Sequence, residues 1–127
     1  MPRQPIHTDH APAAIGPYSQ AVKSGQAVFL SGQIPLDPAT GDVVAGDIEA
    51  QARRAFDNLK AVCAAAGGDL GDIQRLGLYL TDLSQFGAVN AVMGEYFDAP
   101  YPARSTIEVS GLPKGVMFEV DAILVLP

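Results

Sequence analysis

Arg104 is the side chain of this sequence best suited to chemistry. It stands in Tyr101-Pro102-Ala103-Arg104-Ser105-Thr106-Ile107-Glu108-Val109. Pro102 keeps the residue before it extended, and the β-branched Thr106, Ile107 and Val109 mark a strand. An arginine at the mouth of a rigid strand presents a planar fork of donors that matches a carboxylate. The plainer role is a surface arginine with a solvated head. Glu119 lies among apolar residues of the last strand. Three further polar residues each fit two roles. Ser31, after an apolar strand, orients a ligand or caps the following loop. Tyr18, after Gly16-Pro17, lays its phenol over a pocket or packs. Asn90, beside the apolar stripe of a helix, bonds a neighbouring loop or points into a site. His7 and His10 have no Cys or acidic partner at a familiar spacing, so no metal site is expected. Cys63 belongs to an apolar helical face and reads as core rather than nucleophile.

These groups need a scaffold. Residues 3–7 carry a weak edge-strand signal. Residues 19–24 and 26–31 read as two strands around a turn at Gly25. Val28, Phe29 and Leu30 are apolar in succession, which suits a strand buried on both faces. Asp47 is a good N-cap for a helix reaching about Ala66. Its apolar face is Ile48, Ala52, Ala55, Phe56, Leu59, Val62, Cys63 and Ala66, and Gly67-Gly68 stops it. A strand over 73–81 and a helix over 83–97 follow, the helix burying Phe86, Val89, Met93, Tyr96 and Phe97. The last strand, 117–126, alternates. Phe118, Val120, Ala122, Leu124 and Leu126 share a core face, whereas Met117, Glu119, Asp121, Ile123 and Val125 share a mixed one.

The order is β-β-α-β-α-β-β, an α+β chain with a mixed sheet and two helices on one face. The other face is too apolar for water, and a second copy of the chain is the simplest cover. A plain hairpin across 110–116 would set Arg104 opposite Ala122 and Glu119 opposite Ile107, on opposite faces of the sheet. A bulge would reverse that, and a site shared between subunits would make it harmless.

The 127 residues fit one domain, 1–127, and 48 % are hydrophobic. The net charge of -6, with no basic run, makes nucleic acid a poor partner. A single cysteine allows no intrachain disulfide and suits a reducing compartment. No secretory signal or membrane-spanning run is read, so a cytoplasmic protein is expected.

Gly16-Pro17-Tyr18-Ser19, Ser31-Gly32-Gln33-Ile34-Pro35, the Asp37-Pro38-Ala39-Thr40-Gly41 loop, Asn90, Pro102-Ala103-Arg104-Ser105, Leu112-Pro113-Lys114-Gly115 and Glu119 follow one another in an order that resembles the Rid family. These are the reactive-intermediate imine deaminases, also called YjgF-type or L-PSP endoribonuclease-like. The resemblance covers essentially the whole chain. It implies a chorismate-mutase-like α+β fold and a homotrimer with clefts between subunits. It also implies hydrolysis of enamines and imines released by pyridoxal-phosphate enzymes, such as 2-aminoacrylate, 2-iminopropanoate and 2-iminobutanoate, to 2-keto acids and ammonia. No metal or cofactor is implied. By motif, Arg104 looks like the carboxylate clamp and Glu119 like the group handling protons and water. Tyr18, Ser31, Gly32, Asn90 and Thr106 look like pocket residues. Thr106 departs from the cysteine many members carry there, so thiol-based regulation is not implied. The alternative is a non-catalytic protein that binds 2-keto acids in the same cleft. RNA cleavage is disfavoured by the acidic composition, and chorismate-mutase chemistry by the want of cations obviously placed to join Arg104.

Overall fold

The computed structural model describes residues 2–127. Strands β1 (Gln4–Ile6), β2 (Ala21–Ser24) and β3 (Ala27–Gln33) lead into helix α1 (Ile48–Ala65). Strand β4 (Ile73–Leu80), helix α2 (Phe86–Tyr96), β5 (Ala103–Glu108) and β6 (Phe118–Val125) complete the chain. The weak signal at residues 3–7 is a real edge strand, and the second helix starts with a 3-10 turn at Leu83–Gln85 before turning α-helical.

Both ends of α1 follow from side-chain and backbone chemistry. The Asp47 carboxylate accepts from the Ala50 N–H at 3.0 Å, satisfying one of the orphan donors of the first turn. At the other end Gly67, at φ 92°, takes the left-handed conformation. Gly67 N–H then reaches the Ala64 carbonyl and Gly68 N–H the Cys63 carbonyl, each at 3.0 Å. This double closure is the Schellman arrangement.

The six strands form one sheet in the order β1-β2-β3-β6-β4-β5. All neighbours are antiparallel except β4 and β5, which are parallel. A parallel pair needs a long crossover, which α2 supplies; α1 likewise bridges β3 to β4. The core lies between the helices and one sheet face. Phe118, Val120 and Leu124 of β6, Leu76, Leu78 and Leu80 of β4, and Phe56 and Leu59 of α1 are fully buried there. Phe56 is the hub of the helix layer, with Tyr96, Phe97 and Phe118 at ring-centroid distances of 5.4, 6.0 and 5.5 Å.

The hairpin expectation for the last two strands fails. β6 inserts between β3 and β4, and β5 pairs with β4 alone. The α2 crossover places β5 at the sheet edge, an outcome that short-range turn logic cannot anticipate. The levels survive nonetheless. Arg104 is level with Leu76 and, through it, with Ala122; Ile107 is level with Tyr79 and, through it, with Glu119. Since side chains directly across a ladder share a face, Arg104 belongs to the helix side and Glu119 to the other.

That other face is open in the single chain. Phe29, expected to be buried on its strand, is 47 % exposed, Ile107 48 % and Val125 41 %. The alternation of β3 sends Val28 and Leu30 to the helices and Phe29 away from them.

Candidate active site

The site residues fall into two clusters. The first is built on the β4–α2–β5 unit. The Arg104 guanidinium donates through one terminal nitrogen to Asn90 Oδ1 at 2.6 Å and lies 3.3 Å from the Met93 sulfur. Its carbon sits 4.9 Å from the centroid of the Phe86 ring, within cation–π range. Phe86, Asn90 and Met93 recur at i, i+4 and i+7, so one stripe of α2 forms a shelf for the arginine. The shelf orients the fork without neutralising it. Among the described residues the ion pairs are His7–Asp9, Arg53–Glu49 and Arg53–Glu95, and Arg104 is in none of them. Asn90, Met93, Gly94, Tyr101, Pro102 and Arg104 line a hollow of about 350 Å³. Thr106 shares the Arg104 face, level with Leu78, but lies outside the walls of that hollow.

The second cluster is built around β3 and β6. Ser31 Oγ donates to the Ser19 carbonyl at 2.6 Å, and Ser31 N–H donates to the Gln20 carbonyl at 3.0 Å. Ser31 therefore braces the 16–19 turn, in which Tyr18 N–H closes on the Gly16 carbonyl at 2.9 Å. It is a loop brace and a pocket wall at once. Tyr18 and Ser31 line a broad cleft of about 820 Å³ together with Arg3 and Phe29. Gly32 lies where the β3–β6 register shifts, and its missing side chain leaves the space that the Glu119 carboxylate occupies. Burial first, and the negative charge of Asp121 second, push the Glu119 pKa above the ordinary carboxylate range.

The structure thus brings Arg104 to Asn90, Tyr18 to Ser31, and Glu119 to Gly32, but does not bring the clusters together. Arg104 on β5 and Ser31 on β3 are separated by β4 and β6, three strand spacings or roughly 14 Å. Arg104 and Glu119 also lie on opposite faces of the sheet. One small ligand cannot touch all of these groups within one chain.

Several supporting residues were not singled out from sequence. Gln20 accepts from Thr8 N–H at 2.7 Å and donates to the Pro12 carbonyl at 2.8 Å. The fully buried Asn58 donates to the Ile34 and Leu36 carbonyls at 3.1 and 3.0 Å. These two buried amides hold the segments at 8–12 and 34–36 in place. Lys114 Nζ donates to the Gly41 carbonyl at 3.2 Å, tying together two of the loop motifs. His7 meets Asp9 at 3.0 Å on the surface. Burial pushes the Cys63 thiol up to about 12, which leaves it inert.

The mixed sheet backed on one side by two helices is the architecture of RidA and YjgF proteins. RidA from the Antarctic bacterium Psychrobacter superposes with a TM-score of 0.94 at 48 % identity, covering 98 % of this chain and 100 % of that one. Escherichia coli TdcF with bound serine superposes at 0.93 and 46 %, covering 98 % and 99 %. The family described as endoribonuclease L-PSP matches residues 8–126, and the chain belongs to it. Protein DfrA of Myxococcus xanthus is 56 % identical over 127 residues, 98 % of this chain and 97 % of that protein. The 2-iminobutanoate/2-iminopropanoate deaminase of Salmonella typhimurium is 50 % identical over 123 residues, 94 % and 95 %.

Proposed function

We propose that the protein is an imine deaminase. It hydrolyses 2-iminopropanoate, 2-iminobutanoate and the enamines that tautomerise to them, such as 2-aminoacrylate, to 2-keto acids and ammonia. The observation that carries this reading is Arg104, an oriented guanidinium that is in no ion pair among the described residues and lines a hollow. Asn90 occupies one arm of the fork, which leaves Nε and the second terminal nitrogen for a bidentate carboxylate. An iminium carbon is already electrophilic, so no covalent help is needed. The work left is to hold the carboxylate, place a water and move protons. Glu119 takes a proton as water adds to the C=N carbon. The amine of the carbinolamine so formed takes that proton from Glu119 and leaves as ammonia, while the hydroxyl gives its own proton back to the carboxylate as the carbonyl of the 2-keto acid forms. Relatives bearing the deaminase name support this reading, as does serine, a carboxylate-bearing amino acid, bound in TdcF.

The separation of the clusters makes the site composite. A homotrimer in which the Arg104 edge of one subunit meets the Tyr18–Ser31–Glu119 region of its neighbour would both complete the site and cover Phe29, Ile107 and Val125. A second reading, ligand binding without catalysis, needs only the Arg104 hollow.

The test is to generate 2-aminoacrylate in situ with a serine dehydratase and follow the loss of free imine. Wild type is expected to accelerate it, and Arg104→Ala to abolish the acceleration while sedimenting as the same oligomer. Tight 2-keto acid binding without acceleration would replace this reading with the binding one.

A further inference from the structure

Two carboxylates, not one, stand on the open face of β6. Asp121 and Glu119 are two residues apart on one strand, so they share a face, with their Cα atoms roughly 7 Å apart. Each is accommodated by a glycine on a flanking strand. A side chain at Gly32 would collide with the Glu119 carboxylate, and one at Gly77 would collide with the Asp121 carboxylate and approach the Tyr79 hydroxyl within 2.8 Å. Tyr79 Oη donates to Asp121 Oδ2 at 3.0 Å, and Tyr79 is itself the direct cross-strand neighbour of Glu119.

We propose that Asp121, anchored by the Tyr79 hydroxyl, is a positioning residue that favours the proton-bearing form of Glu119 and so equips it to donate to the departing amine. The inference rests on the deaminase reading for its consequence, but not for its physics. The bond from the Tyr79 hydroxyl fixes the Asp121 carboxylate in place on the face that carries Glu119. Glu119, half-buried beside that charge, then holds its proton more tightly. The phenol is the complementary partner. Burial, and next the bond to Asp121, push its own pKa up, so it remains a donor. Within one chain, the other groups on the strands flanking Glu119 do not reverse this. On β4 the only cation of this face is Arg75, whose fork donates to the Leu76 carbonyl at 3.2 Å and to Ser105 Oγ at 2.9 Å. β3 offers Phe29, Ser31 and Gly32, and β5 offers Ser105 and Ile107, none of them charged. Both helices lie on the opposite face.

The chain has four glutamates, Glu49, Glu95, Glu108 and Glu119, so carboxyl-labelled glutamate gives a simple carbon NMR titration in which Glu119→Gln identifies one signal. Asp121→Asn keeps the shape of the side chain and an acceptor for Tyr79 but removes the charge. The expected result is a Glu119 midpoint moved to lower pH, accompanied by the matching limb of the pH profile of kcat/KM. A merely structural Asp121 would lower activity evenly across pH and leave the midpoint in place. That outcome, or an upward shift, overturns the proposal. If Asp121→Asn does not fold, Tyr79→Phe carries the test. Loss of the donor frees the Asp121 carboxylate to swing away from Glu119, so the Glu119 midpoint should again move to lower pH, and an unmoved midpoint overturns the anchoring. A Glu119 midpoint that moves as expected in a protein showing no imine hydrolysis would sink the deaminase reading and leave the coupling intact.

Discussion

Replacing Arg104 by lysine keeps the charge and removes the fork. In the native arrangement one terminal nitrogen is committed to Asn90 at 2.6 Å, and two nitrogens remain for the two oxygens of a carboxylate. A lysine ammonium following the same path is a point donor. If it keeps Asn90, it offers the substrate one good bond where arginine offers two. A hydrogen bond to a charged group is worth about 1.5–3 kcal/mol. At about 1.4 kcal/mol per tenfold, its loss should cost roughly ten- to 150-fold in kcat/KM. The assay is loss of 2-iminopropanoate generated in situ, with the oligomer checked by sedimentation. A variant within about twofold of wild type would refute the bidentate clamp and with it the role assigned to the α2 shelf.

Two other consequences concern stability and reactivity. Glu119 titrates above its ordinary value of 4.5 in the folded protein, so between the unfolded and folded values the folded state binds more protons and stability falls as pH rises. Glu119→Gln should therefore raise Tm near neutral pH, with the advantage vanishing in melts below about pH 4; equal melting at both pH values would count against a desolvated carboxylate. Cys63, fully buried with its thiol held near 12, should resist iodoacetamide at neutral pH until the protein unfolds. Rapid labelling of the native protein would place it outside the core.

Much of the frame was legible from local chemistry. Asp47 and Gly67 mark the ends of α1 because an N-cap carboxylate and a left-handed C-terminal residue are short-range requirements. The two faces of β6 follow from a period of two. The separation of Arg104 from Glu119 matches the count for a plain hairpin, one of two outcomes the sequence left open, although no such hairpin forms. With β4 between β5 and β6, the two residues still sit at the expected levels on opposite faces. What could not be read is what depends on tertiary approach. Phe86 and Met93 look like core positions of an amphipathic helix, and nothing local says that Arg104 lies across them. Asp121 reads as one more acid on a mixed face until Gly77 and Tyr79 arrive beside it from β4. Gln20 and Asn58 look like ordinary polar residues, yet each pins a loop more than seven positions away along the chain.

Arg104 and Glu119 are expected to act together only across a subunit boundary, and mixing of subunits checks this. Arg104→Ala and Glu119→Gln should each be inactive alone. Unfolded together and reassembled in equal amounts, they should recover about a quarter of wild-type imine hydrolysis, because in a cyclic trimer that fraction of interfaces pairs an intact Arg104 with an intact Glu119. A mixture that reassembles fully and stays inactive would mean that both groups serve from one chain, and would contradict the composite site.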